Sequence, residues 1–189
     1  MRESLISAFL KKNSELNLSA IRDVEGVQVK HINDSLELVK LWIIQPWMDV
    51  CDIWTWWGFP LVPLAFSYPD TFFTWIDSVR KKTVAVNEIL ADLGVKNAKV
   101  IWTRIEEYKG KQFDVITARA VAYSDKLLKW SYPLLKKWGY FLFMKQAIDE
   151  ERDLLFKLCK KYHLRVEKEH LYKLFPDDIQ RVIYVLKKE

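Results

Sequence analysis

Apolar residues recur along this chain in two periods, and the alternation between them lays out the fold. Near the start, Leu5, Ile6, Phe9 and Leu10 fall at helical spacing and predict a short amphipathic helix. Asn13 to Ser19 reads as a break, after which Asp23 suits the N-cap of a second helix with Ile32, Leu36, Val39 and Ile43 on its apolar side. From Met48 onward strands and helices alternate. The predicted strands are Val50 to Ile53, Thr71 to Ile76, Lys99 to Trp102, Phe113 to Thr117 and Tyr140 to Met144. Between them lie helical stretches. Leu61 to Phe66 carries Pro63 in its first turn. The next is capped by Ser78, presents Val79, Val86, Ile89, Leu90 and Leu93, and closes at Gly94. Asp125 to Leu135 and Glu150 to Tyr162 follow. His163 to Lys168 and Arg181 to Leu186 are two further strands with no helix between them. The pattern predicts an α/β protein with a doubly wound, mostly parallel sheet of about seven strands. The last pair, lacking a crossover helix, should form an antiparallel hairpin at one edge. Residues 1–46 are expected as an N-terminal helical extension and 47–189 as the Rossmann-like domain.

Composition narrows the class. The 189 residues are half apolar, enough for one domain with a full core. No uncharged apolar stretch reaches the ~18 residues of a membrane span, and Met1-Arg2-Glu3-Ser4 does not open a signal peptide. Cys51 and Cys159 are expected as buried free thiols in a reducing cytoplasm. His31, His163 and His170 show no zinc spacing with them, so no metal is expected. The formal net charge of +5 suits a polyanionic partner, although many soluble proteins are as basic.

The chemistry centres on the turn after the first strand, Val50-Cys51-Asp52-Ile53-Trp54-Thr55-Trp56-Trp57-Gly58-Phe59-Pro60. In open α/β sheets a nucleotide-like ligand sits outside the carboxyl end of that strand. The second strand ends in Asp77, where a carboxylate can accept hydrogen bonds from ribose hydroxyls.

Several segments together resemble the bacterial small-subunit ribosomal RNA methyltransferase G family, also called glucose-inhibited division protein B. They are Asn17-Leu18-Ser19-Ala20-Ile21-Arg22, His31-Ile32-Asn33-Asp34-Ser35-Leu36, Gly58-Phe59-Pro60, Asp77-Ser78 with Lys81-Lys82, Arg104-Ile105-Glu106, and Phe113 through Thr117-Ala118-Arg119-Ala120. Lys145 and Arg181 complete the set, and the likeness covers nearly the whole chain. The resemblance implies a class I methyltransferase fold, S-adenosylmethionine as cofactor and methyl transfer to N7 of a guanine in 16S rRNA. It places Asp52, Trp54, Gly58 and Phe59 around the cofactor loop. Asp77, Ser78 and Val79 would face ribose and adenine, with Ile105 and Glu106 bordering the adenine. Arg119 would lie beside the methionine end and the incoming base, sharing the catalytic face with Lys145. His31, Asp34, Lys145 and Arg181 would contact RNA. For His31 a helix-packing role is an equal alternative, and for Lys81 and Lys82 a solvated helix face fits better. The implied partner is small-subunit ribosomal RNA or the assembling small subunit, met by a cytoplasmic monomer without membrane contact.

The chain departs from the family pattern Asp-x-Gly-x-Gly-x-Gly-Phe-Pro-Gly. Trp54 and Trp56 stand at two of its glycines, Trp57 at a small-residue position and Leu61 at the last glycine. Trp138 precedes Gly139 where paired glycines are usual, Gln146 follows Lys145 where glycine is common, and Trp75 is a further such site. This clustering points to deliberate substitution or an altered sequence. Two readings follow: an active methyltransferase, or a catalytically impaired methyltransferase-like RNA-binding protein whose cofactor loop is blocked by Trp54, Trp56 and Trp57. On the second reading S-adenosylmethionine binds poorly or not at all. A dinucleotide oxidoreductase fits less well, because of Pro60 and the terminal hairpin.

Overall fold

A computed structural model describes residues 2–17, 19–53, 57–119, 124–176 and 178–189. Seven strands form one sheet: β1 (Asp49–Ile53), β2 (Phe72–Asp77), β3 (Ala98–Trp102), β4 (Phe113–Arg119), β5 (Leu135–Gln146), β6 (Leu164–Leu174) and β7 (Ile179–Lys188). Their order across the sheet is β3-β2-β1-β4-β5-β7-β6. The first five run parallel, while β7 pairs antiparallel with both β5 and β6. The expected doubly wound sheet and edge hairpin are therefore present, with β7 inserted between β5 and the edge strand β6.

Successive strand residues feed opposite faces, and both faces are covered, which is why the strands read as nearly continuous apolar runs. Val50, Phe73, Trp75, Val115, Leu142 and Val185 join one core; Cys51, Ile53, Ile76, Ile116, Phe141 and Phe143 join the other. The first core is roofed by α1 (Arg2–Leu16), α2 (Leu61–Ser67) and α3 (Arg80–Asp92). The second is roofed by α4 (Ser124–Ser131) and α5 (Asp149–Lys161). The N-terminal segment thus shares its core with the sheet. Cys51 and Cys159 are buried free thiols.

Four local expectations change. The helix α1 runs through Asn13 instead of stopping there. Asn13 is buried and acts as a clamp: its Nδ2 donates to the carbonyls of Ser19 (3.1 Å) and Ile21 (2.8 Å), and its Oδ1 accepts from Ser19 N–H (2.7 Å). The second helix is capped by Asp23 as expected, through Gly26 N–H. It is composite, however, passing from Val24–Val27 through a π-helical Gln28–Asn33 and Asp34–Leu36 to a 3-10 stretch, Glu37–Leu41. Such π-helical insertions concentrate near functional sites. Ser78 is not the cap of α3; Val79 holds that position, and the Asp77 carboxylate accepts its N–H at 2.7 Å. Finally, β5, β6 and β7 are all longer than the apolar runs suggested, because their outer portions pair through the backbone whatever their side chains.

Candidate functional site

The chain winds outward from β1 to β2 and β3, then returns to place β4 on the other side of β1. That reversal opens a crevice at the carboxyl ends of β1 and β4, where ligands of such sheets bind. Gly58, with φ of +90°, lies in the turn that follows β1, and its missing Cβ lets α2 close in: a Cβ would meet Val62 at 3.0 Å. Trp54, Thr55 and Trp56 lie outside the described residues. Trp57 is buried in the core roofed by α3, with Lys82 Nζ 5.3 Å from its ring centre. It is absent from the walls of the two cavities described next.

On the β2 side a cavity of about 140 Å³ is lined by Ile53, Ile76, Asp77, Ser78, Ile105 and Glu106, among others. Its floor is apolar and its rim carries the Asp77 carboxylate. Asp77 is buried, accepts from Val79 N–H, and has Lys82 Nζ at 3.8 Å. Burial pushes its carboxyl above the usual value, with the Val79 hydrogen bond and Lys82 opposing. Such a group gains from any further donor brought to it. Ile105 is buried in a short 3-10 turn, Ile105–Glu107, while Glu106 stays partly exposed with Arg104 at 3.9 Å. Val79 is exposed at the mouth of α3. A mixed cavity, with Ile53, Ile76 and Ile105 beside polar groups and a buried carboxylate, fits an adenosine, with the ring against the isoleucines and ribose hydroxyls on Asp77.

On the β4 side lies a larger cavity, about 340 Å³, lined by Ser19, Lys30, His31, Asp34, Arg119 and Arg181 among others. Its wall is a buried network that joins four segments. Arg119, the last residue of β4, places Nη2 2.7 Å from His31 Nδ1 and Nη1 3.5 Å from Asp34 Oδ2. Arg181 reaches the same Oδ2 at 3.5 Å, and Tyr172 on β6 donates to Asp34 Oδ1 at 2.6 Å. The guanidinium is always a donor, so His31 Nδ1 is the acceptor and its ring is neutral. Burial first, and the Arg119 charge second, lower His31 to about 3. Its other nitrogen faces Ser19 Oγ at 3.4 Å. The ring stacks on Phe59, centres 4.9 Å apart, with Phe9 edge-on to both. Desolvation lowers Arg119 from the usual guanidinium value while Asp34 opposes.

A sequence model of the family described as rRNA small subunit methyltransferase G matches residues 2–174. The chain belongs to the rRNA small subunit methyltransferase G family. It is 32% identical over 182 residues to the ribosomal RNA small subunit methyltransferase G of Lysinibacillus sphaericus, covering 93% of this chain and 76% of that one. Against the protein of the same name from a Thermoanaerobacter species, identity is 33% over 186 residues, covering 95% and 77%. The fold resembles a SAM dependent methyltransferase from Aquifex aeolicus, with a TM-score of 0.68 at 16% identity, covering 93% of this chain and 97% of that one. A methyltransferase from Pyrococcus furiosus gives 0.69 at 15% identity, covering 82% and 81%.

The remaining residues singled out by family resemblance sit deeper than expected. Asp52 is buried in β1 and accepts from Thr117 Oγ1 on β4 at 2.9 Å, tying the two strands at the crevice. Lys145 is also buried, near the end of β5, and pairs with Glu151 of α5. Of the four residues assigned to RNA, His31 and Asp34 come together with Arg181 and Arg119; Lys145 stands apart from that cavity's walls. The network also includes Tyr172, which no pattern in the sequence singled out. Its partner Asp34 lies 138 positions away; the β6–β7 register sets Tyr172 opposite Arg181, which reaches the same carboxylate. No helix among the described residues is long and apolar enough to cross a membrane.

Proposed function

We propose that this chain transfers the methyl group of S-adenosylmethionine to N7 of a guanine in 16S ribosomal RNA. The observation that carries the reading is the pair of cavities flanking the β1 turn, one with Asp77 on its rim and one walled by Arg119. S-adenosylmethionine, when bound, supplies a methyl already activated by the sulfonium charge. Asp77, Ser78, Val79, Ile105 and Glu106 would hold its adenosine, with Asp52, Trp54, Gly58 and Phe59 at the turn. Guanine N7 carries a free lone pair, so the protein needs no general base, and alignment at near-attack distance supplies most of the rate. The neutral His31, already accepting from Arg119, suits that economy: it orients the guanidinium and exchanges no proton.

Arg119 would position the base; Lys145, assigned with it to catalysis by resemblance, pairs with Glu151 of α5 outside that cavity's walls. N7 lies on the major-groove edge, which an A-form helix hides, so the guanine must come from a loop or be flipped. Residues 1–46, read as an extension on the domain 47–189, contribute His31 and Asp34 to the RNA side, and Arg181 completes it. The same reading makes the protein a cytoplasmic monomer acting on small-subunit RNA or the assembling subunit.

The test is transfer of labelled methyl from S-adenosylmethionine to 16S rRNA, mapped by strand scission at N7-methylguanine. It is run on this chain and on its Trp54→Gly, Trp56→Gly, Trp57→Gly form. Label at a single guanine is the expected result. No transfer by either form, or label on another atom, overturns the proposal.

A further inference from the structure

Among the described residues, seven other than glycine have positive φ: Asn17, Trp42, Trp47, Trp57, Trp138, His163 and Asp178. Asn, Asp and His are the side chains that tolerate the left-handed region; for a bulky residue it is an outlier. Every exception is a tryptophan, and these four are more than half of the seven described tryptophans. The cost arises because a Cβ in this region crowds the following carbonyl oxygen.

Each of the four stands where backbone geometry asks for glycine. Trp42 follows the 3-10 stretch with φ 57° and ψ 25°, and its N–H bonds to Val39 O, which is the left-handed terminator position of a helix. Trp47 is third in a turn closed by Met48 N–H to Gln45 O, with Pro46 second; a type II turn needs glycine at that third place. Trp138 precedes Gly139 where the β4–β5 pairing jumps from Phe113–Leu135 to Val115–Tyr140, and irregularities of that kind place glycine in the left-handed region. Trp57 and Gly58 are two left-handed residues in succession in the turn after β1.

Packing gives no compensation at three of them. Trp42, Trp47 and Trp138 are 80%, 74% and 58% exposed, so their indoles contribute little burial to offset the backbone cost. Composition agrees. The chain has nine tryptophans and five glycines, together about 7% of its residues, the share that glycine alone takes in an average protein.

We propose that Trp42, Trp47, Trp57 and Trp138 are glycine positions of this fold, filled by glycine in the protein its own cell makes, through one codon decoded there as glycine and elsewhere as tryptophan. A UGA triplet has both meanings in different genetic codes. The same decoding at Trp54 and Trp56 gives the turn after β1 the glycine spacing of the family pattern.

Two measurements decide it. Peptide mass spectrometry of the protein purified from its own cells should give glycine masses at the four positions; tryptophan there overturns the proposal. In recombinant protein, the combined Trp42→Gly, Trp47→Gly, Trp138→Gly variant, at the three exposed positions, should unfold at a temperature higher by on the order of 10 °C than the chain with tryptophan. Trp130→Gly, within the regular helix α4, should lower it. An unchanged or lowered midpoint in the threefold variant also overturns the proposal. Neither readout involves cofactor, RNA or turnover, so this inference stands or falls separately from the methyl-transfer reading.

Discussion

The two cavities beside the β1 turn are built on opposite electrostatic plans. The Asp77 side presents one buried carboxylate with a single backbone donor and a lysine at 3.8 Å. The Arg119 side gathers a carboxylate, two guanidinium groups, a phenol and an imidazole into contact. The first site keeps acceptor capacity in hand, which suits a ligand that brings hydroxyl donors. The second has spent most of its capacity internally, which fixes side chains from the N-terminal segment, β4, β6 and β7 in one arrangement. Preorganisation and positive potential are what a flipped base and its phosphates require.

The most forceful way to break this contrast is to remove the shared carboxylate. Asp34→Ala leaves Arg119 and Arg181 facing each other in a buried site and strips Tyr172 of its acceptor. Loss of one member of a buried ionic cluster costs about 3 to 5 kcal/mol, and urea unfolding should show a loss of that size. A loss below about 1 kcal/mol would mean the network is not a structural clamp.

Acid should separate the two sides by sign. His31 has its folded pKa lowered to about 3 from an ordinary 6.5. The unfolded chain therefore binds the proton first, and the contribution of neutral His31, complete above pH 6.5, drains away as pH falls toward 3. The slope approaches about 1.4 kcal/mol per pH unit. Asp77 is raised instead, so it works in the opposite sense: its burial penalty is absent when protonated and grows as pH rises through the window above the ordinary 3.8. Chemical denaturation between pH 4 and 7 should show the His31 slope in the parent chain and its loss in His31→Gln. A slope that survives His31→Gln assigns the effect to other groups.

Asp77→Asn should sharpen the contrast further, because it separates binding from stability. The amide oxygen still accepts from Val79 N–H, so unfolding should shift by less than about 1 kcal/mol. Loss of charge-assisted bonds to ribose hydroxyls should weaken S-adenosylmethionine by about 1.5 to 3 kcal/mol, roughly tenfold to a hundredfold. Calorimetry on a form that binds the cofactor measures it, and equal affinity would remove Asp77 from the cofactor site.

The two sides also differ in how much of them the sequence reveals. Asp77 is legible because it ends an apolar strand about twenty residues after the β1 turn, a local pattern with a physical meaning. The alternation of strands and helices likewise predicts the parallel sheet and the terminal hairpin, since period and length are local properties. The Arg119 network is legible only in part. Family resemblance marks His31, Asp34, Arg119 and Arg181 but not that they touch, and Tyr172 is invisible because its contact with Asp34 comes from the packing of the N-terminal segment on β6. The composite helix was hidden too: its apolar side, with Ile32, Leu36 and Val39, is compatible with α, π and 3-10 turns alike, and packing selects among them. Of the three tryptophans that suggest a blocked pocket, Trp57 lies in the core, away from both cavities, while Trp54 and Trp56 lie outside the described residues.

The smallest effect concerns Lys30, on the π-helical turn beside His31 and in the wall of the larger cavity. If that cavity receives a nucleotide, a lysine at its edge meets phosphate, where it adds affinity without reading sequence. Lys30→Ala should then weaken binding to ribosomal RNA about equally for every sequence and reduce the slope of log affinity against log salt by about 1. The substitution leaves the Asp34 network intact, so unfolding should change by less than about 0.5 kcal/mol, and S-adenosylmethionine binding on the Asp77 side should not move. A salt slope identical to that of the parent chain would take phosphate contact away from this cavity and leave the basic surface elsewhere to account for it. A change in cofactor affinity would show that the two sides of the β1 turn are coupled, and the division between an acceptor site and a preorganised one would have to give way to a single site spanning both.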